Sequence, residues 1–426
     1  NIFFFSNVKA TNILDYETEI FINEILALVC EVNNCNQNIK FSIILDENPN
    51  AYIDQNNKLH ISTGLIKYSD SYESIVGVLA HEVGHVTNFH IVKRKKEAKT
   101  LQTINKVSNL SLIAGSLISN NSDYLMQSII TNQVGIKNYF QSFSRDQERE
   151  ADFYAINTLN KLNLSTQPLI KFLNLLERKA KKIGINEEYY KFSTHPIYKE
   201  RYTIINSNKI ENTKSFDIEI NKNFNFIRAK LFGFTEKNNS NLSKYLENEY
   251  LVYSESIILS KEGKLKESMI KLNNLIKLYK KNNFLIETKA DILYSNGYLT
   301  EANLFYQKVI ESKPKNHYAN KRIFEIQFSL NTEKNELNKL FHEYSFLLKI
   351  FIQDKNLMNK FRLIAENSMK INWIEYFKIE KKLNKKIDKN DIETSIQKLI
   401  KIKNDTSDII LIDLINILIQ RIKSNA

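Results

Sequence analysis

The chain has 426 residues, 42% apolar and 25% charged, enough to fill two domain cores and too apolar for a disordered protein. Nine glycines and four prolines, with no glycine beyond Gly297 and no proline beyond Pro314, point to a mostly helical protein. Net charge is +12, but the 60 Lys and Arg are interspersed with 48 Asp and Glu and cluster only at 93–96 and 381–386; nothing reads as a nucleic-acid-binding motif.

Residues 1–10 form an apolar stretch closing on Val8 and Ala10. They read as the remnant of a signal peptide cleaved after Ala10, which implies a periplasmic location. No window of 18 uninterrupted apolar residues follows, so no membrane-spanning segment is expected; peripheral contact with anionic lipid headgroups stays open. A helix is expected over 15–32 and strands over 39–46 and 58–62. Cys30 and Cys35 lack the spacing of a redox or zinc pair. In an oxidising compartment they can close a small loop, and the sequence leaves thiol and disulfide both open. Leu59, His60, Ile61 and Ser62 read as an edge strand able to hold an extended peptide by strand addition, with Gly64 as a turn before the next helix.

The segment 71–97 is expected to be one helix, because Ile75, Val78, Leu79, Val83 and Val86 recur at helical spacing. It carries His81-Glu82-Val83-Gly84-His85. Residues four apart share a helical face, so the two imidazoles converge on one point, and neutral imidazoles are good Zn²⁺ ligands. Glu82 stands beside them, placed to take a proton from a zinc-bound water. Two helices are expected between about 100 and 142, with Leu110–Ile118 in a flap. The next helix, opened by Ser144-Arg145-Asp146-Gln147-Glu148, ends near Asn163 and supplies a third ligand. Glu148 and Asp152 are four apart, so Glu148 can bind metal while Asp152 accepts the N–H of a ligating histidine. Asp146 and Glu150 are alternatives by type, but each points a quarter turn or more off that edge. Helices over 167–182 and from His195 to about 206 follow; ahead of Pro196, a histidine also suits a first helical turn.

Three segments together resemble a known family. HEVGHVTNFH, then SRDQEREAD, are similar to the gluzincin metalloendopeptidases related to HtpX, whose third ligand is the first Glu of an ExxAD motif. STHPIYKER (193–201) resembles the THPxxxxR segment of the periplasmic members that assist outer-membrane β-barrel assembly. The resemblance implies that His195 is a catalytic gate or fourth zinc ligand and Arg201 an active-site neighbour. Asn50-Ala51-Tyr52 and Gly64-Leu65-Ile66 match further family segments, whereas Phe89 stands where relatives carry Arg. The fold implied is an α+β zincin-type metallopeptidase domain, mostly helical with a small sheet, over 11–207.

Polar residues 208–217 read as a linker, and 218–426 as an all-α helical repeat domain. Gly263 and Gly297 are 34 apart, and KEGKLKES aligns with SNGYLTEA; Leu272 and Leu275 then match Tyr306 and Val309. That period is the tetratricopeptide one, in units 249–282 and 283–316, with helices continuing at 371–382 and 409–422. Plain helical-bundle packing is the alternative. The combined expectation is an envelope zinc endopeptidase with one Zn²⁺ and protein or peptide substrates, its repeats meeting the outer-membrane β-barrel assembly machinery. The rival is a repeat chaperone or scaffold with a latent protease site.

Overall fold

Four short strands form one sheet in the order β1-β2-β4-β3 in this computed structural model, which describes residues 12–35, 39–54, 56–88, 145–182, 199–208, 217–383 and 389–425. They are β1 (Asn12–Ile13), β2 (Phe41–Ile44), β3 (Ala51–Ile53) and β4 (Leu59–Ser62). β1 runs antiparallel to β2, β2 parallel to β4, and β3 antiparallel to β4. β4 is therefore an inner strand, which corrects the expectation that Leu59, His60, Ile61 and Ser62 offer a free edge. Its backbone groups are already spent on two neighbours, with Ile61 paired to Ile43 on one side and Ala51 on the other. Among the described residues the edge on that side is β3, three residues long and hard to see as a periodic pattern.

Helix α1 (Tyr16–Asn33) begins at Asp15, whose carboxylate accepts the Thr18 N–H at 3.3 Å, and ends at Asn34 in the left-handed conformation (φ 53°). It buries Phe21, Ile22, Ile25, Leu26 and Val29 in the first core. Ser62 caps α2 (Thr63–Tyr68) by accepting the Leu65 N–H at 3.0 Å. Gly64 is not the expected turn. It lies inside α2, where an added Cβ would come within 2.4 Å of the Glu47 carbonyl oxygen, so it is there for close approach. Then comes α3 (Tyr72–Thr87), buried at every position from Tyr72 to Val86. A helix with no solvent face sits at the centre of a core, and α3 packs between α1, β3, α4 (Arg145–Lys161) and α5 (Gln167–Lys182).

The chain divides into two units, Asn1–Ile258 and Leu259–Ala426. The first extends past the point where a second domain was expected to begin. Helix α7 (Ile218–Thr235), which follows α6 (Lys199–Ser207), places Phe224, Ile227 and Leu231 in the core of α1 and α3. Lys230 ties it to Asp15 at 2.5 Å and Glu17 at 2.7 Å. Lys67, with no exposed side-chain surface, holds Glu47 at 2.7 Å and Glu236 at 2.6 Å, fastening the end of α7 to α2. The signal-peptide remnant, the flap and nearly all of the linker lie outside the described residues.

Helix Asn248–Lys261 carries the chain into the second unit, which continues with Leu265–Leu278, Asn283–Ser295 and Leu299–Ser312. The last two second-position helices start 34 residues apart (299 − 265), and Gly263 and Gly297 precede them with φ +79° and +84°. Those left-handed values explain glycine at both turns. Ser268, Leu272 and Leu275 and their counterparts Ala302, Tyr306 and Val309 are all buried. Helices continue to Asn425 around a core holding Phe324, Phe341, Phe361 and Trp373.

Candidate metal centre

The site is built where α3 crosses α4. His81 and His85 lie one turn apart on α3, with Nε2 atoms 3.1 Å from each other. Glu148, in the first turn of α4, sets Oε2 3.4 Å from His81 Nε2 and Oε1 3.4 Å from His85 Nε2. A carboxylate there also suits the positive end of the helix dipole. All three side chains are buried: His81 is 5% exposed, His85 0% and Glu148 1%. A tetrahedral zinc with bonds of about 2.0–2.2 Å needs ligand atoms about 3.3–3.6 Å apart. Each Glu148 oxygen stands at that spacing from one of the imidazoles, 3.4 Å in both cases, while the two Nε2 atoms, at 3.1 Å, are slightly closer than it. Among the described residues, this trio forms a group of His, Cys, Asp and Glu compact enough to hold an ion.

Two side chains fix the histidine face. His81 Nδ1–H donates to Asp152 Oδ1 at 2.9 Å, which leaves Nε2 as the lone-pair atom aimed at the cluster. Arg201, on α6, donates to both oxygens of Asp152, Nε to Oδ2 at 2.8 Å and Nη2 to Oδ1 at 2.7 Å. Its Nη1 also lies 3.2 Å from Glu148 Oε2. Burial pushes the Asp152 carboxyl up, but the Arg201 charge and the His81 hydrogen bond outweigh it and hold Asp152 below the usual carboxylate range. For His81, burial and Arg201 push the imidazole pKa down; hydrogen bonds to Asp152 and Glu148 prevail, and it lies above the ordinary value. Glu82 is 2% exposed and sits beside His81 on α3.

The close helix crossing rests on two small residues that the sequence analysis passed over. Gly84 follows His81 by three positions and Ala151 follows Glu148 by three. A Cβ added at Gly84 would stand 3.2 Å from the Ala151 Cα and 3.0 Å from the Tyr154 Cβ, so only small residues let the ligand-bearing faces meet. The signal available in sequence was a small residue at the same offset behind each ligand.

The structure brings together His81, Glu82, His85, Glu148, Asp152 and Arg201, all buried. His195 lies outside the described residues. Leu59 and Ile61 are β4 residues buried in the first core, and Ser62 is a helix cap. His60 is held by Ser42 Oγ at 2.9 Å, by Asp54 Oδ2 at 3.1 Å, and by stacking on Tyr52. Cys30 and Cys35 are thiols here. Burial and the neighbouring Cys35 push the Cys30 thiol up to about 12, while Cys35 Sγ lies 3.1 Å from the Tyr154 hydroxyl. No helix among the described residues is long and apolar enough to cross a membrane.

Residues 18–209 match the family described as peptidase family M48. The chain is 22% identical over 231 residues to the beta-barrel assembly-enhancing protease of Escherichia coli (strain K12), covering 54% of this chain and 46% of that protein. The Yersinia pestis protein of the same name is 22% identical over 219 residues, 51% of this chain and 44% of its own. Metalloprotease YcaL of Escherichia coli (strain K12) is 27% identical over 140 residues, 32% of this chain and 51% of that protein. The chain spans about half the length of the curated relatives it matches. The cluster of α3 and α4 lies inside residues 18–209, the segment that matches peptidase family M48.

Proposed function

We propose that this chain is a zinc-dependent endopeptidase of the bacterial cell envelope, acting in the periplasm on misfolded or stalled envelope proteins. The observation that carries the reading is the buried trio His81, His85 and Glu148, whose nitrogen and oxygen atoms converge closely enough to share one ion. These three residues would hold the ion. When bound, zinc supplies Lewis acidity to water and to the substrate carbonyl. Glu82 takes the proton released as water attacks the carbonyl and returns it to the departing amine. Asp152 fixes the His81 tautomer, and the two-pronged Arg201 contact keeps Asp152 from swinging away. Exclusion of water by the buried walls strengthens each of these contacts.

For the substrate backbone, β3 is the strand that fits. It is an edge, and Ala51 and Ile53 share the core of α3, so a peptide paired to it would run alongside the ligand helix. His195 enters through the family resemblance alone, as a gate on the metal or as a donor to the developing oxyanion. Replacing it raises activity in the first case and lowers it in the second.

The 34-residue spacing of helix pairs and their paired glycines supports a second role, a tetratricopeptide-like surface for a protein partner. The relatives' name makes the β-barrel assembly machinery the first partner to test. A casein-cleavage assay with chelator and zinc add-back separates the readings. Cleavage lost on chelation and restored by zinc supports the peptidase. Absence of cleavage with zinc present, in the wild type and in a His195 variant as well, favours the scaffold.

A further inference from the structure

Away from the metal centre, the first unit carries a half-open cavity of about 870 Å³, and no residue of the metal cluster lines it. Its walls come from the end of α2, one face of α5, α7 and the segment 243–250. Arg228 of α7 is buried in this wall, only 7% exposed. Its guanidinium donates to three neutral oxygens: Nε to the Lys67 carbonyl at 3.2 Å, Nη1 to Asn225 Oδ1 at 3.0 Å, and Nη2 to the Tyr245 carbonyl at 3.3 Å. A guanidinium has five N–H donors, so two are left to serve the cavity. Among the described residues no carboxylate pairs with it; Asp70 acts on it only at a distance. Burial accordingly pulls its pKa down to about 10. A buried cation surrounded by carbonyls and an open space is stabilised most by an anion placed in that space.

The lining says which anion. Arg228, Lys171, Arg178 and Lys244 contribute positive charge, against Asp70, Glu177 and Glu247. Four against three leaves a single surplus positive charge, matched by one carboxylate and exceeded by a phosphate dianion, which would also meet the three acids. A planar carboxylate further suits the two remaining N–H groups of a guanidinium fork. Tyr68, Tyr245 and Tyr250 add aromatic wall for the chain that bears it, and the volume is in the range of small-ligand sites, about 300–1,000 Å³, enough for the end of a peptide or one side chain.

We propose that this cavity is a peptide-carboxylate site, with Arg228 as its anchor, distinct from the metal centre. The carboxylate comes from either a free C-terminus or an acidic side chain. The test uses the full-length Glu82→Gln chain and fluorescence anisotropy with three labelled pentaalanine probes: the free acid, the C-terminal amide, and the amide carrying one internal Glu. The free acid, the Glu amide or both should bind about tenfold or more tighter than the plain amide. Tight binding of the free acid alone assigns the C-terminus, and of the Glu amide alone the side chain. Because Arg228 also bonds its surroundings, the paired surface variant Lys171→Glu with Lys244→Glu provides a change that spares the fold. Both that variant and Arg228→Lys should weaken binding several-fold, and chelator should leave it unchanged. Equal affinity for all three probes, loss of binding on chelation, or displacement by inorganic phosphate better than by acetate would overturn the assignment.

Discussion

Each unit holds a cluster of polar groups, buried in the first and partly buried in the second, and the two clusters are built on opposite rules. In the second unit, Asp291 Oδ1 accepts the Tyr306 hydroxyl at 2.5 Å and the Tyr318 hydroxyl at 2.8 Å, and Arg322 Nε donates to the Tyr318 oxygen at 3.2 Å. Burial and the Asp291 charge raise both tyrosine pKa values well above the ordinary one, so both stay protonated donors. Donors meet acceptors, and the cluster closes on itself. In the first unit, two imidazole Nε2 atoms and a carboxylate face one another at 3.1–3.4 Å. With both imidazoles neutral and their Nε2 lone pairs turned inward, acceptors converge there, and a cation would complete them. A self-matched cluster holds a fold in register; a cluster of converging acceptors announces a ligand.

The comparison breaks most visibly at Glu82. Glu82→Gln should cut casein cleavage by about 10²–10⁴-fold with zinc content unchanged, because it removes the proton acceptor and no ligand. Persistent cleavage would remove Glu82 as the base. Next comes the second unit, where the Phe361 and Phe324 rings stack at 4.3 Å in its core. Phe361→Ala should cost about 3–5 kcal/mol in denaturant unfolding of that unit, with zinc content untouched. A loss of zinc in that variant would show that the clusters are not independent. Asp152→Asn sharpens the contrast by altering a partner rather than a ligand. It should weaken zinc affinity or activity about 10–100-fold, read by competition with a chromophoric chelator. Tyr306→Phe deletes one donor from the self-matched cluster, and a loss of about 1 kcal/mol is expected, with cleavage unaltered.

The metal cluster was legible because both of its halves follow helical spacing: His81 to His85 and Glu148 to Asp152 each span one turn. Most helices were legible for the same reason, including those at Ile371–Leu383 and Ile409–Asn425. What stayed hidden depends on contacts between distant segments. β3 has three residues, too few for a period, so the edge was assigned to β4 instead. Lys67 reads as a surface lysine until Glu47 and Glu236 arrive from 20 and 169 positions away. The apolar face of α7 looks like another repeat helix, yet Phe224 and its neighbours are spent on α1, which carries the first unit on to Ile258. Arg228 is likewise one more basic residue in a basic chain until the fold surrounds it with carbonyls.

The central claim is most directly tested by metal analysis of the purified full-length chain beside its His85→Ala and Glu148→Gln variants. About one zinc per chain in the wild type, lost or sharply reduced in both variants while their helical content persists, is the expected result. Equal zinc in all three proteins, or none in the wild type after zinc loading, would contradict it.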